Sequence, residues 1–455
     1  MFSSITQRIV DNVEMLAYGV AVTDVDGDGR DEIVVCGYDG PNRVLAWRDD
    51  AVVDITPDAL ADPDRRAIGI AAADVDADGR EEIYILNTDT FAGRKRLADR
   101  LFVWRDGAWL DAFELAANIE SLNLMAGRSV CALDRQGFGR YSIAVASYGG
   151  PLRLYEVADD LYVVDVAAAV GMALTTGGRG LVAGPIVTDD VDLFCTNEND
   201  ANFLFANVDA TFEEVAVGWG VADRFEHGRG VAVVDVDGRF ALACGNWEGP
   251  HRFWVPDEGG GFTDHATAAF ALPSPVRTVI AADFDNDGRE EIFFNNIGEA
   301  NRLFRVDGDE VLETDIGAAA EVDGLGTGAA VIDIDGDGVL ELLVAHGESA
   351  AAPLTLYSAP AARGNHWLRV RPVTTAGAPA RGAVVTVERG ERRWRRLIDS
   401  GSGYLCQMEP VAHVGLGPEV GPVDRVTIRW PGGRTRTLEH VEIDQEIRVH
   451  PTGGG

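Results

Sequence analysis

The chain has 455 residues, 46% of them hydrophobic, and carries a formal net charge of −35 from 39 Lys+Arg against 74 Asp+Glu. That length suffices for two domains with sizeable cores. A surface this acidic repels phosphate backbones, and no apolar run reaches 18 residues, so neither nucleic-acid binding nor membrane insertion is expected.

The opening MFSSITQRIVDN has no basic stretch followed by an apolar one. A cytoplasmic location is therefore expected, or an extracellular one if the sequence is that of a trimmed mature chain. ITQRI (5–9) reads as a lone strand. The next segment, TDVDGDGRDEIVV (23–35), crowds carboxylates at the mouth of a strand, and it recurs as ADVDADGREEIYI (73–85), ADFDNDGREEIFF (282–294) and IDIDGDGVLELLV (332–344). Each copy has Asp at loop positions 1, 3 and 5, Gly at 6 and Glu at 9. Carboxylates about 4 Å apart repel by about 4 kcal/mol per pair at a surface-like dielectric, so the loop calls for a cation. Hard oxygen ligands at alternate positions, with a backbone carbonyl at position 7, describe a calcium site. The expected ligands are Asp24, Asp26, Asp28, Arg30 and Glu32; Asp74, Asp76, Asp78, Arg80 and Glu82; Asp283, Asp285, Asp287, Arg289 and Glu291; and Asp333, Asp335, Asp337, Val339 and Glu341. Position 7 contributes its carbonyl. An EF-hand would need flanking helices and a Glu at position 12. Here position 12 is Val35, Ile85, Phe294 or Val344. The loops therefore close β-hairpins around about four structural Ca²⁺.

Two degraded copies, at Asp134 and Asp235, and a strand pair with Pro185 in the Asp slot complete seven repeats of about 50 residues. Within a repeat, GVAVTD (19–24) enters the loop and EIVV (32–35) returns. The turn YDGPN (38–42) leads to RVLAW (43–47) and then VVDIT (52–56). Four short strands repeated seven times predict an all-β fold, a seven-bladed β-propeller over 1–358. The N-terminal strand should complete the last blade. After a linker at 359–364, a small β-sandwich-like domain spans 365–452.

The acidic loops should lie on one face of the disc. The opposite face carries turns ending in Arg43, Arg153, Arg252 and Arg302, with Tyr38, Tyr148 and Trp247 nearby. These residues form the candidate ligand face, although pairing of each Arg with a neighbouring blade's carboxylate is the simpler reading. There is no GxSxG, HExxH, phosphate loop or CxxC, and the eight His are scattered singly. In the C-terminal segment, GERRWRRLI (390–398) is expected to dock the second domain on the acidic propeller.

The loops resemble FG-GAP/VCBS repeats, as in integrin α-subunit propellers. GPNRVLAW, the (F/V)xD(V/I)T strands and the chain's end resemble the cartilage acidic protein family, whose members join such a propeller to an ASPIC/UnbV domain. The matching phrases are NHWLRVRPV (365–373), GAVVTVERG (382–390), SGSGYLCQ (400–407), HVGLG (413–417) and VTIRWPGGRTRTL (426–438). The third to fifth repeats depart from the pattern by losing loop ligands. Cys406 stands where the family usually has a small hydroxyl residue.

Residues 365–455 hold 13 Arg and 10 Asp+Glu, so the remainder carries −38. One Lys against 38 Arg, beside this acid surplus, points to a halophilic source, with a GC-rich genome that favours Arg and an acidic surface as the alternative. Cys36, Cys195 and Cys244, at equivalent strand ends, read as small core residues, and five Cys cannot all pair internally. The expectation is a calcium-binding, non-enzymatic binding or adhesion protein for an unknown protein or glycan partner. An enzyme acting on an acidic polysaccharide and a structural subunit of a complex are the alternatives.

Overall fold

The computed structural model describes residues 1–451, so Thr452, the last residue expected in the second domain, lies outside the described residues. Each repeat folds as an antiparallel meander because its apolar residues alternate and its loops carry Gly or Asp at left-handed positions. In blade 1 the order is Ala17–Thr23, Glu32–Gly37, Arg43–Arg48 and Ala51–Asp54. Six more four-stranded meanders follow the same order; two of them merge into one eight-stranded sheet, where Ser142–Pro151 runs on to pair with Thr175–Gly184. The innermost strands pack side by side in a closed cycle, Ala17–Thr23 lying between Ala67–Ala73 and Gly326–Ile332. Apolar side chains such as Val20, Val22, Leu342 and Val344 fill the space between blades.

The last blade takes its outer strand from the N-terminus, with Ser3 opposite Ser358 and Ser4 opposite Tyr357. The strand expected at 5–9 lies instead at Ser3–Ser4, and Thr6–Arg8 is a 3₁₀ turn. The cause is local. The Thr6 hydroxyl accepts the Leu356 N–H at 3.0 Å, so a side chain replaces the next rung of the ladder and the backbone turns away.

The second domain consists of two sheets. One joins Arg392–Leu397, Val384–Arg389, Val423–Arg429 and Thr435–Val441; the other joins Ala412–Gly417, His366–Pro372 and Glu446–Val449, the last two in parallel. Leu368, Val385, Trp394, Val414 and Ile428 fill its core.

Between Leu397 and Ala412 the second domain sends a loop into the axis of the ring. Innermost strands are sheet edges, and their inward N–H and C=O groups need partners. The loop supplies them. Ala132 donates to Ser400 O at 2.6 Å, Val231 to Gly403 O at 2.7 Å, and Ile70 to Leu405 O at 3.2 Å, while Gln407 donates to Val20 O at 2.9 Å. The backbone of this plug is thus bonded to blades 1, 2, 3 and 5. All five cysteines are buried and free, and burial pushes the Cys406 thiol up to about 11. No helix among the described residues is long and apolar enough to cross a membrane.

Candidate metal centres and the opposite mouth

The four acidic loops share one hydrogen-bond pattern. Asp at position 1 accepts the N–H of Gly at position 6: Gly29 to Asp24 at 2.9 Å, Gly79 to Asp74 at 3.0 Å, Gly288 to Asp283 at 3.0 Å, Gly338 to Asp333 at 3.0 Å. Position 5 donates to position 3, position 7 donates to position 5, and position 2 donates to the Glu at position 9. The position-6 glycines have φ between +80° and +97°, which L side chains disfavour. Three of them also meet the second domain: a Cβ would strike the Ala376 carbonyl at Gly79, the Trp394 ring at Gly288 and the Trp367 ring at Gly338.

Ligand-type oxygens of Asp24, Asp26 and Glu32 lie within 4.8 Å of one another, as do those of Asp74, Asp76 and Asp78, of Asp283, Asp285 and Glu291, and of Asp333, Asp335 and Glu341. The structure therefore gathers positions 1 and 3 in every loop. Asp28, Asp287, Asp337 and Glu82 stand just outside these close groups. Arg48 donates to Asp26 at 2.8 Å and to Asp28 at 3.0 Å from the end of the third strand. Arg105 approaches Asp76 and Asp78 in the same way.

Each loop leaves buried carboxylate oxygen without a hydrogen bond: Glu32 Oε1, Glu82 Oε1, Asp283 Oδ1, Glu291 Oε1 and Asp333 Oδ1. Burial pushes Glu32 up to about 8, Asp74 to about 6, Glu82 to about 9, Asp283 to about 8 and Asp333 to about 7, and it raises Glu291 and Glu341 well above the usual carboxylate range. Dry, crowded, partly unpartnered oxygens suit a hard divalent cation. The degraded copies close differently. Asp134 accepts from Phe138 and Gly139, Asp192 takes four backbone N–H groups, and Asp235 accepts the Arg395 N–H at 2.6 Å.

The second domain covers this face with arginines. Arg381, fully buried, donates to both oxygens of Glu81 at 2.5 and 3.0 Å. Arg371 reaches Asp31 at 2.8 Å, and Arg396 stands 3.3 to 3.7 Å from Asp235, Glu290 and Asp283. Thus 390–398 does lie on the acidic propeller. Arg371 and Arg381 were not singled out in the sequence, although the acids at loop position 8 (Asp31, Glu81) mark where they dock, as Glu290 does for Arg396.

On the opposite face the four turn arginines are engaged within their own blades or the segment just before. Arg43 donates to Asp54, Arg153 to Asp165, and Arg302 to Glu313, at 2.8 to 2.9 Å. Arg252 holds Asp223 at 2.9 Å and Asp264 at 3.3 Å. Each has a partner acid on its own blade's fourth strand, because that strand runs directly beside the third, and only Arg252 also pairs, at 2.9 Å, with a carboxylate from the segment that follows the preceding blade, as the simpler reading expected. Tyr38 and Trp247 line a cavity at the mouth of the channel, and Tyr148 stacks beside it on Arg179, 4.4 Å from ring centroid to guanidinium.

Fold and loops define a β-propeller of FG-GAP-like repeats plugged by a second β-domain. Residues 24–85 and 283–344 match the FG-GAP-like repeat family, and 374–454 match the family described as ASPIC and UnbV. The chain is 46% identical to cartilage acidic protein 1 of Xenopus tropicalis over 497 aligned positions, covering 99% of this chain and 76% of that protein. For the Homo sapiens protein the values are 46%, 99% and 75%, and for the Mus musculus protein 45%, 99% and 77%. The chain belongs to the cartilage acidic protein family. Among solved structures, BBS1N in complex with ARL6DN is similar with a TM-score of 0.47 at 9% identity, covering 77% of this chain and 94% of that one.

Proposed function

We propose that this protein is a calcium-stabilised, non-enzymatic propeller that binds a protein or glycan partner through the face opposite its second domain. One observation carries the calcium reading: the same carboxylate cluster is built four times, and each loop holds a buried carboxylate oxygen without a hydrogen bond, that of Glu32 lying 3.6 Å from Arg48. Ca²⁺ would be held by the Asp at positions 1, 3 and 5, the Glu at position 9 and the carbonyl of Arg30, Arg80, Arg289 or Val339. When bound it neutralises charge that otherwise loosens the hairpins and the docked domain. Binding is assigned to the opposite face because arginines and glycine contacts of the second domain cover the loop side. The acid surplus is read as adaptation to concentrated salt, and the lone Lys95 fits this, since it is buried against Asp99 and leaves no lysine amine on the surface.

Elemental analysis after dialysis against calcium tests the metal, together with melting curves with and without EGTA. About four Ca²⁺ per chain and a lower melting temperature on chelation are expected, with Asp26→Ala plus Asp335→Ala reproducing part of both losses. Unchanged metal content and melting in that double variant would sink the assignment. For the partner, glycan arrays and cell-surface extracts are screened with and without calcium.

A further inference from the structure

Every innermost strand carries a β-bulge at the same level, just after the pairs Ala17–Gly37, Ala67–Asn87, Gly127–Ser147, Gly178–Asn197, Gly228–Asn246, Val276–Asn296 and Gly326–His346. Bulges re-aim side chains. Here they occur at equivalent positions around the channel mouth opposite the acidic loops. Four consecutive blades place an arginine there, Arg128, Arg179, Arg229 and Arg277, and the cavity they share is about 510 Å³.

The arginines are built in rather than scattered on the surface. Arg128, Arg179 and Arg229 are 7%, 1% and 4% exposed. The Nε atoms of Arg179, Arg229 and Arg277 make no hydrogen bond. Arg179 and Arg229 share one carboxylate, Glu198, and Arg277 pairs with Glu348 at 2.9 Å. Arg128 meets only the carbonyls of Gly127 and Phe91. The other acid in the wall, Asp89, is engaged by Arg96 outside it. Four guanidinium groups therefore face two carboxylates, a surplus of two positive charges inside a chain of net −35. Phe91, Tyr148 and Trp247 hold the guanidinium planes from the sides at 4.4 to 5.6 Å. Such stacking leaves the in-plane N–H groups free to point at a ligand.

We infer that this mouth binds a doubly charged tetrahedral oxyanion, a phosphate or sulfate dianion, either free or as a phosphate monoester on a sugar-sized body. While the Tyr404 hydroxyl keeps its proton, a dianion neutralises the surplus of two, whereas a monocarboxylate neutralises one. Convergent guanidinium forks match the oxygen spacing of phosphate and sulfate. The cavity has room beyond the oxyanion, and its remaining wall includes Tyr18, Tyr38, Phe91 and Trp247, which suit a sugar ring. The plug forms the floor, where the Tyr404 hydroxyl accepts from Arg179 Nη1 at 3.2 Å. Burial there is outweighed by the Arg179, Arg277, Arg128 and Arg229 charges, which hold that hydroxyl down near 7; the same charges would face a bound anion. This deepens the binding reading of the opposite face and does not require calcium in the loops.

The test is titration calorimetry of the calcium-loaded full chain with sodium sulfate, inorganic phosphate and glucose 6-phosphate, at constant ionic strength set with chloride. One saturable site per chain is expected. Tighter binding of glucose 6-phosphate than of phosphate would assign the aromatic wall to a sugar, and equal binding would assign the free ion. Arg229→Gln and Arg277→Gln should each weaken the site by about tenfold to a hundredfold, the loss of a charge-assisted hydrogen bond. Arg302→Gln, on the outer rim, should leave it unchanged. Phenylglyoxal labelling of the unaltered protein avoids any folding defect in a variant: sulfate or phosphate should protect Arg277 from modification. No saturation by any of the three anions, or equal affinity in Arg229→Gln and the parent, overturns the site. Calcium content is measured on the same samples, so a failed oxyanion site is told apart from failed loops.

Discussion

Gln407 lies in the plug and is fully buried. Its Oε1 accepts the Ala72 N–H at 2.7 Å, and its Nε2 donates to Ala72 O at 2.9 Å and to Ser400 O at 3.1 Å. Gln407→Leu preserves the bulk and removes all three bonds. Ser400 O keeps the Ala132 N–H, so the substitution strands two groups, the N–H and C=O of Ala72. Each buried group left unpaired costs roughly 1–3 kcal/mol, so the loss is about 2–6 kcal/mol. At about 2 cal/mol/K per residue, a chain of this length loses about 1 °C in melting temperature per kcal/mol, so a drop of about 2–6 °C is expected. Urea unfolding at fixed calcium measures the energy, and hydrogen exchange reads the Ala72 amide directly. That amide should lose its protection while those of the outer strands keep theirs. A change under about 1 kcal/mol with Ala72 still protected would refute the idea that the plug completes the inner edges of the ring.

Arg381→Met should cost roughly 3–5 kcal/mol, because Glu81 is left buried without its partner, and adding Glu81→Gln should recover part of it. Denaturation of the single and double variants checks both. Tyr404 is held near 7 in the folded protein against about 10 when unfolded, so the unfolded chain keeps a proton that the folded one has lost. Stability from this group should rise between those two values and vanish as pH falls below the lower one. A tyrosinate absorbance step near neutrality, absent in Tyr404→Phe, tests it. Screening of the acidic surface should raise the melting temperature between about 0.1 and about 1 M KCl, where the Debye length falls from about 10 to about 3 Å; a flat response would argue against salt adaptation.

The acidic loops were legible because everything that makes them is local. The 1, 3, 5, 9 spacing, the glycine at 6 and the strand that follows lie within thirteen residues, and repetition fixed the period. The N-terminal strand was misplaced by a few residues because the Thr6 hydroxyl imitates a backbone rung, which no periodicity reveals. The turn arginines drew notice because they recur, yet recurrence there marks an ion pair with the blade's own fourth strand. The mouth arginines recur too, in GRS at 127–129 and GRG at 178–180 and 228–230. Their meaning depends on aligning the bulges of different blades around an axis, and a chain read linearly does not supply that alignment. The plug was hidden for a related reason: SGSGYLCQ is recognisable as a phrase, but only closure of the ring gives it edges to bond.

The two faces are not independent. The second domain docks by placing Arg381, Arg371 and Arg396 against Glu81, Asp31 and Glu290, acids that adjoin the clustered loop carboxylates, so charge that could gather a cation also seats the domain. Its plug then runs through the ring to set Tyr404 beneath the arginines of the far mouth. A propeller lacking the second domain would lose the floor of that mouth and expose the inward backbone groups of its innermost strands. An isolated second domain would carry the plug as an unsupported loop, since its hydrogen bonds are made largely to the blades. Loosening the loops on one side should therefore loosen the floor on the other, because one rigid loop connects them. On this argument the structural unit is the assembled pair of domains, and a cation held by the loops at one face would steady the mouth at the opposite one without being required to form it.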